Sequence, residues 1–358
     1  MKRFILLLVL FPLGLLAQVK IKGRVVNGID NTPLVSASVF LSNATVGDKT
    51  DEQGRFTLNN VKSGQYDLVV TIVGFEGYKK TVMVTNDAIA LGDIKLLPKT
   101  IALSEVKIRP NFNREKYFNE FKKEFLGTSD LARQTIIINP DVVNIDYDPE
   151  TKMLTADSGP DYIELENKAL GYKVKYYLKT CIVNYKNRRV FYEGTALYEE
   201  MEGTPRQQSK WRKKRNAVYK GSPMQFFRDL VANKLNDDFI IVRSDRRLKP
   251  GQKIYVVAQD TASAYTFAKR TKMPGIYMLT NNIPLYIWYT AVTFDKNGAP
   301  VWREPGENVG KIELLQPNAF FDDNGVLLNP ESVLFNYRWG TLRVGDQLPI
   351  DFVPTEEK

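Results

Sequence analysis

Histidine is absent from all 358 residues, and cysteine occurs once, at Cys181. The first absence excludes Ser-His-Asp and Cys-His catalysis. It also excludes histidine-based zinc sites, and a lone thiol cannot complete a thiolate site. A single cysteine rules out an intrachain disulfide. A chain of this length can build its core without one. No glycine-rich phosphate loop is present. Beyond the first residues, no run is long and apolar enough to span a bilayer as a helix. The strand segments also lack the regular series of long alternating stretches that an outer-membrane barrel needs. From these absences the expectation is a non-enzymatic protein with no catalytic residues, no metal and no cofactor.

The N-terminus reads as an export signal. Lys2 and Arg3 precede an apolar run from Phe4 to Leu16, and Ala17 offers a small residue for cleavage before Gln18. Residues 1–17 are therefore expected to be a signal peptide. No cysteine follows the run, so the mature chain is not expected to be a lipoprotein. The expected address is exported, periplasmic or outer-membrane-associated, which makes nucleic acid an unsuitable partner. Cleavage would lower the formal charge of +9 by two. The remaining excess favours contact with anionic surfaces.

Residues 18–97 carry short strand signals separated by turns. Val19–Val26, Ala37–Leu41, Arg55–Leu58, Tyr66–Val73, Lys80–Val84 and Ile94–Leu96 are the segments. Gly54 and Gly74 stand where turns favour a positive φ. Strands at this spacing predict a β-sandwich.

Several pieces occur in the order of a known family: Lys22-Gly23-Arg24-Val25, Thr32-Pro33-Leu34 with Ala37-Ser38-Val39, Thr50-Asp51-Glu52-Gln53-Gly54-Arg55-Phe56, Gly64-Gln65-Tyr66 and Val73-Gly74-Phe75. On these residues the segment resembles the carboxypeptidase-regulatory-like domain, a transthyretin-like sandwich common in Bacteroidota envelope proteins. The resemblance implies an interaction or spacer module. The family takes its name from an appendage of metallopeptidases, whose zinc site needs histidines that this chain lacks. Ile101–Ile108 resembles the exit strand that often follows the module, also seen ahead of TonB-dependent transporters. The remainder is too short for a transporter barrel of about 22 strands.

Residues 98–112 read as a linker, and 113–358 as one larger α+β, mostly β, unit of unknown function. Tyr117, Phe118, Phe121 and Phe125 recur at helical spacing before Gly127. Tyr172–Lys179 alternates and pairs with Val190–Tyr198 as a hairpin. Pro205–Tyr219 is a polar, basic helix. Ser222-Pro223-Met224-Gln225 opens another, with Ser222 as cap and Gln225 completing a capping box. Glu124–Gly127, Asn139–Val142, Asn167–Tyr172 and Tyr219–Pro223 with Phe226–Arg228 weakly resemble the uncharacterised region that follows this module in many Bacteroidota proteins. That resemblance implies architecture and location only.

The densest basic run is Lys210-Trp211-Arg212-Lys213-Lys214-Arg215. It is a candidate for docking on anionic lipid or glycan with Trp211 at the interface. The plainer reading, which weighs more, is a solvated helix face anchored by Trp211. Asp260-Thr261-Ala262 matches a short Bacteroidota O-glycosylation pattern at Thr261. Glu193, Glu199, Glu200 and Glu202 would serve a glycan hydrolase only if two faced each other across a cleft; solvated charge is preferred. Tyr172, Tyr176, Tyr192 and Tyr198 read as core rather than a sugar platform. Asp322-Asp323-Asn324-Gly325 reads as a tight turn rather than a calcium loop. Cys181 reads as packed. Ser104-Glu105-Val106-Lys107 has the spacing of a Ser-x-x-Lys nucleophile but alternates like a strand.

The expectation is thus a non-enzymatic envelope protein whose larger unit binds an envelope protein, a glycan or a membrane surface. The alternatives are a histidine-free, carboxylate-dependent glycan hydrolase and an accessory subunit of a TonB-dependent transport system.

Overall fold

The computed structural model describes residues 19–99, 113–243, 268–280, 284–289, 293–294, 300–301 and 309–355. The signal segment, Ser104–Lys107 and Thr261 lie outside the described residues, as does most of the linker.

The first seven strands are β1 (Val19–Asn27), β2 (Ser38–Leu41), β3 (Gly47–Lys49), β4 (Arg55–Val61), β5 (Gly64–Thr71), β6 (Tyr78–Val84) and β7 (Ile89–Leu96). They form a sandwich of two sheets, β4-β1-β7 and β3-β2-β5-β6. The alternation seen in the sequence turns Ile21, Val25, Val39, Leu41, Phe56, Leu58, Leu68 and Val70 into the space between them. β1 runs parallel to β7 and antiparallel to β4. Gly54 has φ +74° and hydrogen-bonds back to Asp51 O, so the turn into β4 needs a residue without a Cβ.

Helix α1 (Arg114–Leu126) begins at Asn113, whose side chain accepts from Lys116 N, and stops at Gly127. Its apolar stripe puts Phe121 and Phe125 fully into the second core. That core lies on a six-stranded sheet of β8 (Thr135–Ile137), β9 (Asn144–Asp148), β10 (Met153–Asp157), β11 (Ile163–Asn167), β12 (Tyr172–Asn184) and β13 (Arg189–Glu200). β12 is its spine. One edge pairs β11 along the first half and β10 along the second, while the other pairs β13 along its length.

Helix α2 (Pro205–Tyr219) and helix α3 (Pro223–Ala232) come next. The capping box belongs to α2, where Thr204 and Gln207 bond reciprocally. The box expected at α3 is half formed. Ser222 caps Gln225 N, but the Gln225 side chain accepts from Gly221 N and donates to Asp238 instead. The cap's own amide is already taken, because Ser222 N donates to Tyr219 O at 3.0 Å.

The rest is short strands: β14 (Phe239–Arg243), β15 (Ala268–Arg270), β16 (Ile276–Thr280), β17 (Leu285–Tyr289), β18 (Thr293–Phe294), β19 (Pro300–Val301), β20 (Val309–Leu314), β21 (Asn318–Asp322) and β22 (Val333–Tyr337). They make sheets β14-β17-β20-β22 and β15-β16-β21 and the pair β18-β19. Phe226, Phe227, Phe239, Phe321 and Trp339 fill a third core. Residues 113–358, read as one unit from sequence, thus contain two apolar clusters.

The sandwich is fastened to the larger unit. Asn43 N donates to Ala196 O, and Tyr198 N donates to Ala44 O, so the β2–β3 turn pairs with the outer edge of β13. Phe40, Val69 and Leu197 form a small cluster at this contact, with Phe40 stacked on Tyr177. The C-terminal segment closes the seam. Ile350 N donates to Asn43 O, and the Ile350 side chain enters the sandwich core. Arg228 of α3 grips the same segment through Ile350 O and Phe352 O, both at 2.8 Å. A second seam is the turn after β21. There Asn324 donates to Ser63 O, and a Cβ on Gly64 would stand 2.0 Å from the Asn324 amide nitrogen.

Candidate functional site

Helix α2 divides the basic run by its period. Trp211 and Arg215 lie one turn apart and face inward, 8% and 5% exposed. The indole N–H of Trp211 donates to Lys168 O at 3.1 Å. Its ring lies against Gly171 and Gly203, and a Cβ at Gly171 would come within 2.3 Å of it. Arg215 spends its fork locally: Nε on Leu170 O at 2.7 Å, Nη2 on Gly171 O at 3.0 Å and Nη1 on Glu200 at 2.9 Å. The guanidinium carbon sits 3.9 Å from the centre of the Tyr172 ring. These two members of the docking candidate are therefore parts of the protein's own packing. Trp211 anchors the helix rather than presenting an interfacial indole. Lys210, Arg212 and Lys213 are exposed, and Lys214 is half-buried.

Where α2 meets the seam there is a cavity of about 290 Å³. The sandwich supplies Thr45 and Lys62, α2 supplies Gln208 and Arg212, and the C-terminal segment supplies Asp351 and Thr355. Trp211, Tyr172 and Phe352 give it aromatic walls. A second depression, about 460 Å³, adjoins it on the sandwich side and shares Thr45, Lys62 and Asp351. Its other lining includes Asp48, Thr57, Asn59 and Asn60. Together they form a groove across the junction.

The charges in the groove are unequally committed. Asp351 accepts the Thr45 amide, with N–O distances of 3.1 and 3.0 Å, and also the Thr45 hydroxyl. Glu200 is held by Arg215. Lys62 donates to the carbonyl of Asp351. Burial lowers the Lys62 pKa, Asp351 opposes that shift and Arg228 adds to it. Arg212 makes no hydrogen bond or ion pair among the described residues. Lys62 and the two carboxylates are thus engaged within the protein, and the Arg212 guanidinium is the lining cation without a bonded partner among the described residues.

The other candidates fall elsewhere. Glu193 pairs with Lys179 at 2.8 Å and Glu199 with Lys175 at 3.1 Å on an exposed face, and Glu202 is exposed. Tyr172, Tyr176 and Tyr198 are buried in the second core, and Tyr192 packs against it half-buried. Cys181 is buried in the same core, and burial pushes its thiol up to about 12. Asp322 closes a turn by accepting from Asn324 N and Val326 N, at 3.0 and 2.9 Å. Lys62, Thr45 and Asp351 carry no sequence signal. Nothing local marks residues so far apart as neighbours.

Residues 21–108 match the family described as the CarboxypepD_reg-like domain. No curated protein matches the chain. Among solved structures, a type II cohesin–X-dockerin complex from Acetivibrio cellulolyticus is similar at 22% identity, with 22% of this chain and 56% of that chain covered and a TM-score of 0.19. The shaft pilin SpaA of Lactobacillus rhamnosus GG is similar at 14% identity, with 24% and 47% covered and a TM-score of 0.20. A putative membrane-associated protein of unknown function from Bacteroides fragilis NCTC 9343 is similar at 12% identity, with 45% and 65% covered and a TM-score of 0.19. The chain spans about half the length of the cohesin–dockerin and pilin chains it matches.

Proposed function

We propose that this chain is a non-enzymatic, exported binding protein of the cell envelope, in which the sandwich is an interaction module that builds part of the binding site. The observation that carries this reading is the shared cavity. Thr45 and Lys62 of the sandwich face Gln208 and Arg212 of α2 across Asp351 of the C-terminal segment. A mere spacer would have no need to contribute a wall. The seam supports the same reading, because main-chain bonds at Asn43, Ala44 and Ile350 hold that wall in place. The apolar run at Phe4–Leu16 supports export.

The hydrolase reading has less support. Its carboxylates on β13 are paired with lysines, and the two that line the cavity, Glu200 and Asp351, are engaged by Arg215 and Thr45. The test is fractionation of the native host with N-terminal sequencing of the mature chain, together with assays for release of reducing ends from envelope glycans. The expected result is an envelope-fraction protein beginning at Gln18 with no turnover. A cytosolic, uncleaved chain contradicts the reading. So does turnover that Glu200→Gln abolishes.

A further inference from the structure

We propose that helix α2 docks the protein reversibly on an anionic phospholipid surface, through a stripe of cations on its outward face. The stripe is separate from the junction groove, so the inference goes beyond the binding reading and does not depend on it.

The helical period sorts the cations of α2 into three sets. Arg215 is spent on packing, and Arg212 lines the groove. Arg206, Lys210 and Lys213 recur at i, i+4 and i+7, with Ala217 at i+11, on the side opposite Trp211 and Arg215. All four are exposed. The three cations span about 10 Å of helix axis. Lys214 and Lys220 flank them. Lys168, whose carbonyl holds the Trp211 indole, stands beside the helix and is exposed as well.

These charges are uncompensated. Helix α2 contains no acidic residue. Arg206, Lys210 and Lys213 make no hydrogen bond or ion pair among the described residues. Of the carboxylates that lead into the helix, Glu199 is paired with Lys175 and Glu200 with Arg215, and Glu202 is the exposed exception. The neighbouring strands, by contrast, match exposed lysine with glutamate, as at Lys179 and Glu193. Arg206 with Lys210, and Lys210 with Lys213, stand at spacings where like charges repel across one turn and weaken a helix. A merely solvated face gains nothing from that repulsion. An anionic surface relieves it.

The outward face also selects the kind of anion. Arginine and lysine side chains only donate hydrogen bonds, and Ala217 offers a methyl group. Phosphate oxygens need donors alone, whereas a row of sugar hydroxyls also asks for acceptors. Arg206, Lys210 and Lys213 line neither part of the groove, and a stripe along the outside of a helix meets a plane more readily than a thread. No large exposed apolar residue lies on α2, and the Trp211 ring is taken up by packing. The contact is therefore electrostatic, without the apolar insertion of an interfacial helix. Each cation at such a surface is worth about fivefold in affinity.

Co-sedimentation of the chain purified from its native host tests this. The probes are phosphatidylcholine vesicles with and without one-third phosphatidylglycerol, and immobilised polygalacturonate. The test variant is Arg206→Gln with Lys210→Gln and Lys213→Gln. The control is Lys20→Gln with Lys22→Gln and Lys95→Gln, which removes the same charge from exposed positions on the sandwich. The expected result is binding to the phosphatidylglycerol vesicles alone, abolished at about 1 M salt, where screening acts within about 3 Å. It should fall about a hundredfold in the α2 variant and far less in the control. Thermal melts show that both variants are folded. No binding of the natural chain to phosphatidylglycerol vesicles overturns the proposal. So does an equal loss in the control, which would mean bulk charge alone. Tighter, stripe-dependent binding to polygalacturonate would mean an acidic-glycan surface and overturns it too. None of these outcomes touches the groove, so the two readings fail separately.

Discussion

The carboxylate of Asp351 accepts the backbone amide and the hydroxyl of Thr45, 306 positions earlier in the chain. One residue of the C-terminal segment thereby caps a turn of the N-terminal sandwich. Around it Ile350, Arg228 and Lys62 tie the same segment to the β2–β3 turn, α3 and the end of β4. The family-matched module is thus built into the rest of the fold rather than hung from it.

Replacing Asp351 with alanine should loosen this closure. The Thr45 amide loses its acceptor, and because the bond is exposed the loss is about 0.5–1.5 kcal/mol. Denaturant unfolding should show a lower midpoint. An unchanged midpoint would mean that water replaces the carboxylate without cost.

Arg215→Lys should be more damaging than its chemistry suggests. Lysine cannot reach Leu170 O, Gly171 O and Glu200 from one planar head, and it leaves buried carbonyls unpaired. The expected loss is about 1–3 kcal/mol, the cost of leaving a buried carbonyl unpaired. Lys213→Gln, on the exposed face of the same helix, should change stability by less than about 0.5 kcal/mol.

Asp322 should titrate above the usual aspartate range. Burial raises its pKa, against the bonds it accepts from Val326, Asn324 and Gln65. The folded state therefore holds this proton more tightly than the unfolded chain does. The cost of the buried charge is fully present above the folded pKa and is relieved as pH falls through it toward 3.8. The stability difference between the natural chain and Asp322→Asn should move in favour of the natural chain as pH drops from 7 toward 4. Carboxyl NMR titration gives the same sign independently.

Cys181 should be inert while the fold is intact. Its thiol is buried in the second core and held up to about 12 by that burial. A thiol reagent at neutral pH should label it only at the rate of unfolding. Rapid labelling of the native chain would mean that the β12–β13 sheet opens locally.

The features legible in the sequence were those with local signals. Alternation marked six of the seven strands of the sandwich, missing the three-residue β3, and the β12–β13 hairpin, while Ser222 and Gly127 marked helix ends through short-range bonds; the Asn113 cap went unread. The misreadings were local too. Gln225 stands at the right position for a capping box, yet a neighbouring turn amide at Gly221 takes its side chain. Arg215 reads as solvated charge because charge normally is. Its burial depends on carbonyls at Leu170 and Gly171, exposed by a turn at φ +70° that no periodicity announces. The groove was illegible for a stronger reason. Lys62 and Asp351 stand 289 positions apart, and only the assembled fold brings them together.

Hydrogen exchange at the seam tests the central claim, that the sandwich and the larger unit form one body around a shared cavity. The amides of Asn43, Tyr198 and Ile350, each bonded across the junction, are the reporters. They should exchange as slowly as the amides of the β12–β13 ladder. Exchange at the rate of exposed turns, while the sandwich and sheet cores stay protected, would contradict it.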